Sequence, residues 1–191
     1  MPNRKERPPI QPLQRLQLPV IPTFTLSNGM EVLVINEGTQ EVIKLEVLFT
    51  AGRPYEHKPR VRRVTGALWR EGSRQYNAEQ LAEQLDYYGS SVKAPVDMDC
   101  PSLVLYTLNK HLDQVLPLFS SLIQEPAFQE QELQQFIERQ CQRMEVELSK
   151  PEVLAYRSIT ELLFGESHPY GYNSTSELFR NLNRQDVIRH Y

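Results

Sequence analysis

The chain has 191 residues, 24% of them charged, and a formal net charge of −3. That is one domain or one and a fraction, large enough to bury most of its unfolded surface without staples. The mixed charge leaves no nucleic-acid footprint, and no apolar run reaches the ~18–20 residues that span a bilayer.

Two cysteines, Cys100 and Cys141, form neither a disulfide framework nor a CxxC pair, which predicts ordinary thiols in a reducing compartment. The expected location is cytoplasmic. A periplasmic one would need a different start site, because residues 1–22 are basic and proline-rich with no apolar signal segment.

Pro2, Pro8, Pro9, Pro12, Pro19 and Pro22 predict an extended arm or a disordered leader over 1–22. Asn28-Gly29 then predicts a hairpin with a type I′ turn, returning through Val32-Leu33-Val34-Ile35. From Val42, Ile43, Leu45, Val47 and Phe49 alternate with Lys44, Glu46 and Leu48, a strand with one firmly buried face.

Val61, Val64 and Leu68 fall at i, i+3 and i+7, predicting an amphipathic helix over about 60–71 that Gly72 ends. A second helix is expected over 77–88, capped by Asn77 and striped with Leu81, Leu85 and Tyr88. Strands near 90–97 and 101–108 form another hairpin, the later one covered on both faces. Asn109 is expected to cap a helix running to about Gln124, with Leu112, Val115, Leu116, Phe119 and Leu122 inward.

Glu125-Pro126-Ala127-Phe128 breaks the chain before a long polar helix over 129–149. Pro151 opens the next helix, which Gly165 stops. Two short helices near 176–181 and 184–190 close the sequence. Strands, helices, strands and helices in that order predict an α+β, two-layer fold: a mainly antiparallel sheet with helices on one face.

The stretch Arg62-Arg63-Val64-Thr65-Gly66-Ala67-Leu68-Trp69-Arg70-Glu71-Gly72-Ser73 resembles the metal-binding helix of the insulinase/pitrilysin/mitochondrial-processing-peptidase family. In those zinc peptidases an inverted H-x-x-E-H motif precedes a short apolar stretch and Gly-Thr or Gly-Ser. The hairpin at Leu26-Ser27-Asn28-Gly29, the Ala51-Gly52-Arg53 strand end, and the helix from Ala78-Glu79 to Tyr88-Gly89 are similar to family segments in the same order. So are the Glu125-Pro126-Ala127-Phe128 break and the His168-Pro169-Tyr170-Gly171 loop. The resemblance covers about 23–191. It implies a processing-peptidase-like half-domain that stops before its last strand and belongs to a longer protein.

Aligned on Glu71-Gly72-Ser73, the family's two histidines fall on Arg63 and Ala67, and its catalytic glutamate falls on Gly66. The third zinc ligand of the family, a glutamate on the long helix, falls on or near Arg143 when counted back from Pro151, with Glu145 close by. The resemblance therefore implies that zinc and catalytic residues are both lost here, since zinc sites take three or four protein ligands. A +2 ion about 4 Å from the Arg63 guanidinium would also meet on the order of 8 kcal/mol of repulsion at an effective dielectric of ~20. His57, one turn of loop before the helix, is the nearest imidazole. His168 reads as a surface or hydrogen-bonded histidine.

Arg53, Arg60, Arg62, Arg63 and Arg70 cluster around this helix. They form either a basic pocket for a peptide carboxylate or a partner's acidic surface, or a solvated face paired with Glu56, Glu71 and Glu79. Trp69 sits one residue off the apolar stripe, as core edge or docking anchor. Arg63, Trp69 and Arg70 are thus the candidate peptide- or partner-binding residues.

By resemblance, the leading expectation is a non-catalytic homologue. It would pair with a zinc-bearing sibling subunit, or with the second half of a longer chain, and help close a chamber around a peptide substrate. The alternatives are a structural or scaffold subunit of a larger complex, and an active zinc metalloendopeptidase whose ligands lie elsewhere. An unpaired sheet edge also predicts self-association into a homo-oligomer.

Overall fold

The computed structural model describes residues 20–95 and 97–191. Most of the arm expected over 1–22 lies outside the described residues. The chain divides into two compact units between Gln40 and Glu41.

In the first unit, β1 (Thr23–Thr25) and β2 (Glu31–Leu33) pair antiparallel, Thr23 opposite Leu33. The turn differs from the expected type I′. Gly29 has φ 86° while Asn28 stays at negative φ. The Leu26 and Gly29 amides bond to the carbonyls of Met30 and Leu26, and the Asn28 side chain accepts from the Met30 N–H at 3.1 Å. One positive-φ residue closing a three-residue loop gives the bulged form of hairpin instead.

The second unit contains a three-stranded antiparallel sheet in the order β3 (Val42–Leu48), β5 (Ser102–Leu108), β4 (Ser91–Lys93). β5 is central, and Leu103, Val104 and Leu105 are all buried. β3 keeps the predicted alternation, but its inward residues are only half-buried. With β5 on one side alone, an edge strand is incompletely covered.

Seven helices complete this unit: α1 (Val61–Leu68), α2 (Ala78–Tyr87), α3 (Leu112–Gln124), α4 (Glu130–Glu147), α5 (Pro151–Phe164), α6 (Ser176–Arg180) and α7 (Arg184–His190). Asn77 opens α2 with a full capping box: its side chain takes the Gln80 N–H, and Gln80 reaches back to the Asn77 N–H. Pro151 starts α5 and Gly165, at φ 85°, ends it, both as expected. Asn109 does not cap α3. It begins a 3-10 turn through His111, so the α-helix starts only at Leu112. The inward face of α3 is Val115, Leu118, Phe119 and Leu122, with Leu116 exposed.

Two hydrophobic clusters meet at α1. Val61, Val64 and Leu68 pack with Leu133, Ile137, Cys141 and Met144 of α4 and with Phe179 and Val187. Trp69, the next residue, joins Leu81, Leu85, Leu103, Leu105 and Phe119 under the sheet. Helix α1 and the residue after it thus form the wedge between both cores.

Candidate functional site

Helix α1 begins from an unusual residue. Arg60 stands at its N-cap with φ 74°, a left-handed conformation that costs a non-glycine residue on the order of 1 kcal/mol. Two contacts hold it. The Arg60 N–H donates to the Tyr172 hydroxyl at 3.2 Å. Glu56 accepts the Arg62 N–H at 3.0 Å, placing a carboxylate at the positive end of the helix dipole. The Tyr172 hydroxyl in turn donates to Glu56.

The arginines are not a solvated face. Arg53 and Arg62 are 5% and 6% exposed, which corrects the pairing expected with Glu71 and Glu79. Arg62 donates to the Asp97 carbonyl. Arg53 donates to the Tyr172 carbonyl at 3.0 Å and lies 4.1 Å from that ring's centroid. Arg60 lies 4.9 Å from the same ring. Burial pushes Arg60 down to about 10, with the nearby Tyr172 and Glu56 opposing the fall and Arg53 adding to it. Burial likewise lowers Arg62 and Arg63. Arg70 is exposed.

Of the degenerate-motif positions, Arg63 reaches α4 and donates to the Gln140 side chain at 3.2 Å. Gly66 offers no side chain, and a Cβ built there would meet nothing within 4 Å. Ala67 offers a methyl. Arg143 is exposed and tied to Glu147 at 2.8 Å, near enough for its charge to depress Arg63. Glu145 is exposed and lines none of the cavities around the helix.

Beside Arg63, α4 contributes Gln140, Met144 and Glu147. With Arg60, Arg63 and Arg157 they line a cavity of about 170 Å³. Counting back from Pro151 missed Gln140 and Glu147. Spacing at i, i+4 and i+7 from Gln140 is the signal that finds them.

The donor set does not fit zinc. A guanidinium, a bare backbone and a methyl supply no ligand at the three helix positions, and the described residues contain no group of three His, Cys, Asp or Glu able to hold a metal. His57 lies 3.7 Å from Asp186 and 6.3 Å, ring to ring, from His190. His168 is exposed, accepts from the Tyr170 N–H and stacks on Phe164.

Trp69 takes the core option rather than the docking one. It is 3% exposed, donates its indole N–H to the Leu122 carbonyl at 3.0 Å, and meets Phe49 edge-on at 4.7 Å. It still lines a mainly apolar cavity of about 170 Å³ with Phe49, Gly66, Pro101 and His190. Among the described residues no helix is long and apolar enough to cross a membrane.

The fold is that of an α+β peptidase-type domain organised around α1. The chain belongs to the insulinase family, peptidase family M16, whose model matches residues 65–163. No curated protein matches it.

Among solved structures it is similar to a peptidase M16 inactive domain from Pseudomonas fluorescens, at 20% identity and TM-score 0.84 over 89% of this chain and 42% of that one. A protease from Helicobacter pylori matches at 19% identity and TM-score 0.74, over 91% and 43%. The ferredoxin protease FusC, in complex with Arabidopsis ferredoxin, matches at 15% and 0.72, over 89% and 19%. At these identities the likeness is one of fold. The chain spans under half the length of each of these structures.

Proposed function

We propose that this chain is a non-catalytic M16 homologue that binds no zinc and supplies binding surface to a peptide-processing assembly. Its catalytic chemistry would come from a zinc-bearing sibling subunit or from a second half of the same protein. The observation that supports this reading is Arg63, which falls on the first ligand position by resemblance and donates to Gln140 instead. The missing carboxylate at Gly66 takes away the base that would activate water.

The test is zinc content after dialysis against a slight excess of metal, together with peptidase assays of the chain alone and with candidate siblings. Near-zero zinc and no cleavage alone are expected. One zinc per chain with cleavage would overturn the proposal.

A further inference from the structure

A cavity of about 390 Å³ opens on the side of Arg60 away from any motif position, walled by α5 and the loop that follows it. Arg53, Arg60 and Arg157 line it, against a single acidic lining residue, Asp99. Asp99 already accepts the Tyr170 hydroxyl. Glu56, whose charge reaches Arg60, is engaged by the Arg62 N–H and the Tyr172 hydroxyl, and Glu161 accepts from the Asn173 side chain.

The cationic side is under-partnered. Arg60 makes no side-chain hydrogen bond or ion pair among the described residues, and its Nε is buried without an acceptor. The Nε of Arg53, a residue 5% exposed, is likewise buried and unpartnered. Arg157 donates from one nitrogen to the Ser174 carbonyl. Native proteins rarely leave buried donors so unmatched, and arginine is the side chain whose fork fits a planar oxyanion in two parallel bonds.

We propose that this cavity binds a peptide carboxylate, with Arg60 and Arg157 as the fork and the Tyr172 ring holding Arg53 and Arg60 in position. A carboxylate suits it better than a phosphate dianion, because Asp99 stands on the wall and much of the rest is apolar or aromatic: Val153, Tyr156, Phe164 and Met98. The volume accommodates the carboxylate and the side chain that carries it. The carboxylate belongs to a glutamate or aspartate side chain or to a chain terminus; both present the same chemistry. The inference deepens the peptide-binding reading above and rests on it, but not on the loss of zinc.

The test is calorimetric titration of the chain with three probes: acetyl-Ala-Glu-Phe-amide, acetyl-Ala-Gln-Phe with a free terminus, and neutral acetyl-Ala-Gln-Phe-amide. At least one charged probe should bind tenfold or more tighter than the neutral one, and which one does so identifies the source of the carboxylate. The preference should weaken at high salt, disappear in Arg60→Gln and in Arg157→Gln, and persist in Arg139→Gln, a variant of an exposed arginine on α4. Arg157 lies within α5, so its variant covers the case in which Arg60→Gln disturbs the cap of α1; thermal melting checks both.

Equal affinity for the three probes would overturn the proposal, as would a preference that survives both variants. Inorganic phosphate binding tighter than the charged probes would overturn it in favour of a phosphate site. A zinc-free chain that assembles with a peptidase sibling yet shows no preference would remove the pocket and leave the functional reading standing.

Discussion

Arg63 Nη2 donates to Gln140 Oε1 at 3.2 Å, joining α1 to α4. The bond fixes the register between the two helices more firmly than spacing along the sequence does. Gln140, half-buried, is the α4 residue within reach of the first motif position. Arg143, exposed, turns instead to Glu147.

That register can be tested by rebuilding the site. A chain carrying Arg63→His, Gly66→Glu and Ala67→His gains two imidazoles on one helix face, and zinc then needs a third ligand. Adding Gln140→Glu is expected to tighten zinc binding at least tenfold more than adding Arg143→Glu, measured by competition with a chromophoric chelator. A larger gain from Arg143→Glu would return the ligand position to the one counted from Pro151.

Gly66 gives a second prediction. It is a helix-interior glycine, and an added Cβ meets no atom within 4 Å. Gly66→Ala should therefore stabilise the chain by about 0.5–1 kcal/mol, through helix propensity and a less flexible unfolded state. For a chain of this length that is a rise in melting temperature of roughly 1–4 °C. A fall would mean that the methyl meets something in the cavity beside Trp69.

Local signals carried much of this fold in the sequence. The Asn77 cap, Pro151 at a helix start and Gly165 at its end each depend on neighbours three or four residues away. Asn109 misled because a 3-10 turn absorbs its position before α3 begins. That Arg63, Gly66 and Ala67 are neither histidine nor carboxylate is residue identity and needs no structure to read. The burial of the arginine cluster was not legible in the sequence. Arg53 and Arg60 are buried by Tyr172, more than a hundred residues away, and no periodicity in one segment encodes a partner in another. The residue facing Arg63 on α4 was hidden for a related reason, because the sequence of one helix does not say which of its residues a second helix meets.

Trp69 is the one tryptophan in the chain, so its fluorescence reports its site directly. Packed between Phe49 and Tyr191 with its N–H bonded to a backbone carbonyl, it should emit in the blue and resist quenching by iodide. Trp69→Ala is expected to cost about 3–5 kcal/mol, the usual loss for a large buried aromatic. Quenching as efficient as that of free tryptophan would show that the ring is a surface anchor instead.

Asp186 predicts an acid-sensitive step in stability. It accepts from Lys58 at 2.8 Å and from the Asn183 N–H at 3.0 Å, within the capping box that opens α7. Burial by itself would raise its carboxyl, but these bonds outweigh burial and hold it below the ordinary carboxylate range. A group whose folded value is depressed stabilises fully above its unfolded value, about 4 for an aspartate, and loses that contribution as pH falls through the folded value. Asp186→Asn should therefore lower the melting temperature at pH 7, by an amount matching about 1–2 kcal/mol for a lost charged cap. The gap between variant and parent should then close as pH falls below about 4. Melting curves collected across that range decide the matter: a gap that stays constant would show that the Asp186 charge does not stabilise the fold.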